Sequence, residues 1–78
     1  MAGKASAKTI EHAGAVLNVL RERKKDLVPL TWIREQTGLS DREADLALKK
    51  LKRAGYAKYE RHPDGPNGWR VTREGLSP

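Results

Sequence analysis

Residues 37–55, TGLSDREADLALKKLKRAG, decide the fold. Ser40 and Glu43 have the Ser-x-x-Glu spacing of a capping box, in which hydroxyl and carboxylate each accept from a backbone N–H that the first helical turn leaves unpaired. Ala44, Ala47, Leu48 and Leu51 then recur at helical steps, giving one apolar face to a helix over 41–54. Gly55 stands where a left-handed residue closes that helix. Gly38 plays the same part for a preceding helix, so Gly38-Leu39-Ser40 becomes a three-residue turn between two helices, with Leu39 directed back to the core.

Working outward, the preceding helix begins near Pro29, which suits a first helical turn, or at Thr31 as N-cap, and carries Leu30, Ile33 and Thr37 on one face. Leu27-Val28-Pro29-Leu30 is a short apolar segment suited to a brief edge strand or extended bridge. A first helix is expected from Thr9, as N-cap, to about Lys25, with Ile10, Ala13, Val16, Leu17 and Leu20 as its apolar stripe. Arg21, Arg23, Lys24 and Lys25 in its last turn oppose the negative end of the helix dipole, as a solvated turn or as phosphate contacts. Residues 1–8 show no apolar period and read as a flexible basic arm. After Gly55, Tyr56–Arg61 and Trp69–Thr72 read as strands. The loop His62-Pro63-Asp64-Gly65-Pro66-Asn67-Gly68 joins them into a hairpin. One domain over 9–75 is expected, with 76–78 frayed. In a chain without phenylalanine, Tyr56 and Trp69 are expected in the core, while Trp32 lies at the edge of its helix's buried face.

Composition narrows the function classes. A chain of 78 residues holds one small domain, with little margin for strained catalytic machinery. The absence of cysteine removes disulfides and thiolate metal sites. His12 and His62 lie in separate elements with no partner at ligand spacing, and no phosphate loop, nucleophile elbow or paired carboxylate stands out. Neither enzyme activity nor a cofactor or metal is expected. The longest apolar run, Ala13 to Leu20, is interrupted and far short of a membrane span, and the N-terminal MAGKASAK lacks a signal's apolar centre. A cytoplasmic protein, associated with the nucleoid when bound to DNA, is the expectation. Sixteen Lys/Arg against ten Asp/Glu give a formal charge of +6, which favours polyanionic partners, nucleic acid ahead of an anionic membrane surface.

The order helix, short strand, helix, turn, helix, hairpin is that of an α+β winged helix-turn-helix, with three helices, a short strand and a two-stranded wing. Thr37-Gly38-Leu39-Ser40, followed by Ala44, Leu48, Leu51 and Arg53-Ala54-Gly55-Tyr56, resembles winged-helix regulators of the MarR, ArsR and Lrp kind over residues 9–75. That resemblance implies binding of double-stranded DNA by a small prokaryotic or viral transcriptional regulator. Thr72-Arg73-Glu74-Gly75 is similar to the turn opening a further helix that MarR proteins use in dimers. No such dimer helix is expected within these 78 residues, which leaves the oligomeric state open. A second resemblance, to Zα domains that bind left-handed nucleic acid, rests on Pro66-Asn67-Gly68-Trp69. The asparagine and tyrosine those domains use on the recognition helix are replaced by Asp45 and Lys49.

With the Ala44-Leu48-Leu51 stripe inward, Arg42, Asp45, Leu46, Lys49, Lys50 and Arg53 turn outward. In a major groove Arg42 or Lys49 would pair with guanine, Asp45 would accept from cytosine, and Leu46 would meet a thymine methyl. Lys50 and Arg53, later in the helix and on its flanks, are placed for phosphates, and Ser40 at the helix start is a further candidate for DNA contact. The hairpin adds Lys58, Arg61, His62 and Arg70, with Asn67 at its tip, reaching along the backbone or into the minor groove. Base stacking by Trp32, Tyr56 or Trp69 is a further reading. A homodimer on a two-fold site is preferred. The rival reading is a protein–protein adaptor in a larger assembly, its basic face meeting an acidic protein partner.

Overall fold

A computed structural model describes residues 7–65 and 67–76. Their elements are α1 (Ala7–Glu22), α2 (Leu30–Thr37), α3 (Asp41–Ala54), β1 (Ala57–Glu60), β2 (Gly68–Val71) and α4 (Arg73–Leu76). The fold is α+β, four helices and an antiparallel hairpin, an arrangement compatible with a winged helix. The expected arm over residues 1–6 and the tip residue Pro66 lie outside the described residues.

α3 is built as its local signals dictate. Glu43 N donates to Ser40 Oγ (3.2 Å) and Ser40 N donates to Glu43 Oε1 (3.0 Å), the reciprocal pair of a capping box. At the other end Gly55 takes φ +85° and its N–H bonds back to Lys52 O, while Tyr56 N reaches Leu51 O. The positive φ is where a side chain would be strained, so glycine is required by conformation. Gly38 closes α2 in the same way at φ +73°, donating to Arg34 O. Thr37 Oγ1 also donates back to Ile33 O (2.7 Å), four residues earlier in the helix.

α1 departs from the expected bounds. Its described part runs from Ala7, so Lys8 and Thr9 are helical and Thr9 is not its N-cap. It stops at Glu22, because Arg23 N divides its bond between Val19 O and Leu20 O and Asp26 N closes a turn onto Arg23 O. Val16 and Leu20 are fully buried and Ala13 nearly so, whereas Ile10 is 55% exposed because the core ends below it. The apolar segment after the turn contributes one antiparallel bridge, Val28 to Trp69, with N–O distances of 2.8 Å in both directions. Pro29 then caps α2.

Val16, Leu20, Val28, Ile33, Ala47, Leu48 and Leu51 form one buried cluster, with Ala57 and Val71 closing it from the hairpin. Leu39, Trp32 and Trp69 pack on its margin. The hairpin register pairs Ala57 with Val71, Lys58 with Arg70, Tyr59 with Trp69 and Glu60 with Gly68. Alternation sends Ala57 and Val71 inward, which turns Tyr56 outward at 41% exposed, contrary to its expected core role. Trp69 is only half-buried, and its ring meets Tyr59 edge to face at 5.3 Å. Of the residues expected to fray, Leu76 is described, and it closes the single-turn helix α4. Arg21 Nε donates to Gly75 O (2.7 Å) from α1, and Gly75 N donates to Thr72 Oγ1 (3.2 Å). Ser77 and Pro78 are outside the described residues.

Candidate nucleic-acid interface

The buried stripe of α3, Ala44, Ala47, Leu48 and Leu51, orients every other residue of the helix outward. Arg42, Asp45, Leu46, Lys49, Lys50 and Arg53 are all exposed, together with Lys52, which belongs with them and was passed over in the sequence. Its signal is its position three residues beyond Lys49 on the flank that carries Asp45. The acids Asp41, Glu43 and Asp45 occupy the first half of the helix and Lys49, Lys50, Lys52 and Arg53 the second. Each half opposes the dipole charge at its own end. The cationic character of the face is therefore concentrated in its C-terminal half.

Ion pairs thin that charge unequally. Lys49 Nζ lies 3.1 Å from Asp45, one helical turn back, so two of the four expected base-reading side chains engage each other. Among the described residues no ion pair takes up Arg42, Lys50, Lys52 or Arg53. Ser40 is committed to the cap, its hydroxyl accepting from Glu43. The Glu43 carboxyl is held below its ordinary range, first by the backbone N–H of Ser40 and then by its hydroxyl. His12 and Lys8 of α1 add a smaller lowering effect. The turn ahead of α3 is tied by Arg34 Nη1 to Asp41 (2.9 Å), while Arg34 Nε is buried without a hydrogen-bond partner.

On the hairpin, Lys58 (3.1 Å) and Arg70 (3.3 Å) both turn to Glu60 Oε2. Lys58's hydrogen bond, ahead of the attraction of Arg70, lowers the Glu60 carboxyl below its ordinary range. These two cations, expected to lie along a DNA backbone, form a compact cluster whose charge is half cancelled. Arg70 Nη1 also donates to Lys25 O (3.3 Å), drawing it away from α3 toward the α1–α2 connection. Asn67 folds back within the loop, Oδ1 accepting from His62 N (3.1 Å). Arg61 is exposed at the end of the strand. The structure thus collects α3's side chains on one face and separates His62 and Arg70 from them.

Among the described residues no group of His, Asp and Glu is placed to hold a metal ion, and no helix is long and apolar enough to cross a membrane. No family model, curated protein or solved structure matches this chain.

Proposed function

We propose that the chain is a winged-helix protein that binds double-stranded DNA and regulates transcription, laying α3 in the major groove and the hairpin beside it. One observation carries the reading: α3 buries its whole apolar stripe and exposes Arg42, Lys50, Lys52 and Arg53 outside any internal ion pair. A helix of this diameter fits the major groove, and Arg42 together with Leu46 stands on its outermost row. Lys50, Lys52 and Arg53 serve as phosphate contacts, joined by Arg61 from the hairpin. Lys58 and Arg70 are secondary, since contact with DNA would cost them Glu60. One module of this kind buries only ~600–1,000 Å² on DNA, so a dimer on a two-fold site suits specific binding.

The test is a salt titration of affinity for duplex DNA. Four neutralised phosphates predict a slope of about −3.6, hence roughly a 150-fold loss between 50 and 200 mM salt. Absence of duplex binding at low salt would overturn this function and favour the adaptor, for which Leu46, 44% exposed amid the charged row, is the natural anchor.

A further inference from the structure

A cleft of about 550 Å³ opens between the α1–α2 connection and the loop of the hairpin, and none of its lining belongs to α3. We propose that it binds a small organic anion, a single carboxylate or phosphate group on a flat apolar body. The inference is independent of the DNA reading.

Two guanidinium groups line the cleft, each already held by the fold. Arg23 lies over the Trp32 ring, 4.6 Å from its centroid. Arg70 stands on the hairpin wall, its Nε on Glu60 (3.3 Å) and its Nη1 on the carbonyl of Lys25 across the cleft (3.3 Å), which holds the group while leaving Nη2 to meet an anion without giving up Glu60. Guanidinium matches carboxylate or phosphate through paired N–H donors, and fixing it beforehand removes much of the ordering cost of binding. Lys25 adds a third cation and His62 a ring nitrogen. The one acid in the lining, Asp26, sits 3.8 Å from Arg23 with both side chains about half exposed or more, a loose pair that an incoming anion can displace.

The floor accounts for the organic part. Leu27, Val28, Pro29 and Trp32 supply an apolar base to the lining, and the volume falls in the range of small-ligand sites. Inorganic phosphate would leave that base uncovered. An aromatic carboxylate and a mononucleotide share the required chemistry, so benzoate and AMP are the probes.

Calorimetric titration of the whole chain, without DNA, with benzoate, AMP, their uncharged analogues benzamide and adenosine, and inorganic phosphate tests the site. Binding of benzoate, AMP or both is expected, with the uncharged analogues and phosphate at least about tenfold weaker. Benzoate alone assigns a carboxylate ligand and AMP alone a phosphate one. Arg23→Ala and Arg70→Ala should each weaken binding by at least about tenfold. In the unaltered protein, amide signals of Lys25 through Trp32 should shift on probe addition while those of α3 stay in place. The site is refuted if neither probe binds at about 10 mM in low salt, where even a millimolar affinity would register. It is equally refuted if phosphate or the uncharged analogues bind as well as the probes, or if the shifts fall on α3. Displacement of bound probe by duplex DNA, with Arg23→Ala weakening both, would give the cleft to backbone phosphate and overturn the small-anion assignment.

Discussion

Two glycine-to-alanine substitutions in helices should change stability in opposite directions. By helix propensity alone, each gains up to ~1 kcal/mol, because alanine loses less backbone entropy on folding. Gly14 lies in the interior of α1, and a Cβ built there meets nothing within 4 Å. Gly14→Ala should therefore realise the gain. At Gly75 the same atom would sit 2.3 Å from the carbonyl oxygen of Tyr56 and 2.6 Å from Val71 Cγ2. The first neighbour is backbone and cannot rotate aside. Relieving the overlap moves α4 off the hairpin, at an overpacking cost of ~1–3 kcal/mol that exceeds the propensity gain. It also pulls the Gly75 carbonyl from Arg21, which holds it at 2.7 Å. For a domain of this size ~1 kcal/mol corresponds to about 4–8 °C in Tm. Thermal unfolding followed by circular dichroism should show Gly14→Ala melting higher and Gly75→Ala lower than the parent. If both variants melt higher, α4 does not pack against Tyr56 and Val71 as described, and the reasoning fails.

Ser40→Ala removes one half of the capping box and should cost ~1 kcal/mol of stability in a denaturant melt, whereas Ser40→Asp, which keeps an acceptor for Glu43 N, should cost less than half of that. Stability should also fall on acidification. Glu43 and Glu60 are both held below their ordinary range, so each contributes stability fully present above the unfolded carboxylate range and lost as pH drops through the lowered folded value. Tm measured from about pH 6 to about pH 3 should decline less steeply in Glu43→Gln than in the parent protein. A parallel decline would show that the Ser40 contacts do not favour the ionised carboxylate.

The parts of this fold that were legible in the sequence are those whose causes are local. Ser40, Glu43, Gly38 and Gly55 act on backbone groups within a few residues, so α3, the close of α2 and the turn between them could be placed by spacing alone. The hairpin followed from its loop for the same reason. What escaped depended on partners far along the chain. α4 is held by Arg21, 54 residues from the carbonyl it contacts, and no periodicity announces such a bond. Ile10 continues the stripe of α1 in sequence, yet the core beneath it ends at Ala13. Tyr56 looked like core by size, but the strand that follows turns Ala57 inward. In the candidate site, the outward face of α3 was readable from its wheel, apart from Lys52. The reach of Lys58 and Arg70 was not, since Glu60 captures both only once the register sets Lys58 opposite Arg70. The cleft likewise needs the Val28–Trp69 bridge, which brings residues 41 positions apart together.

The most direct test of the account is the map of amide shift changes when the ¹⁵N-labelled protein is titrated with a short duplex at low salt. The largest changes should fall on Arg42 through Arg53 and extend to Arg61, with the buried side of α1 unaffected. Shifts confined to other surfaces, with α3 silent throughout the titration, would contradict the assignment of that helix as the surface that meets DNA.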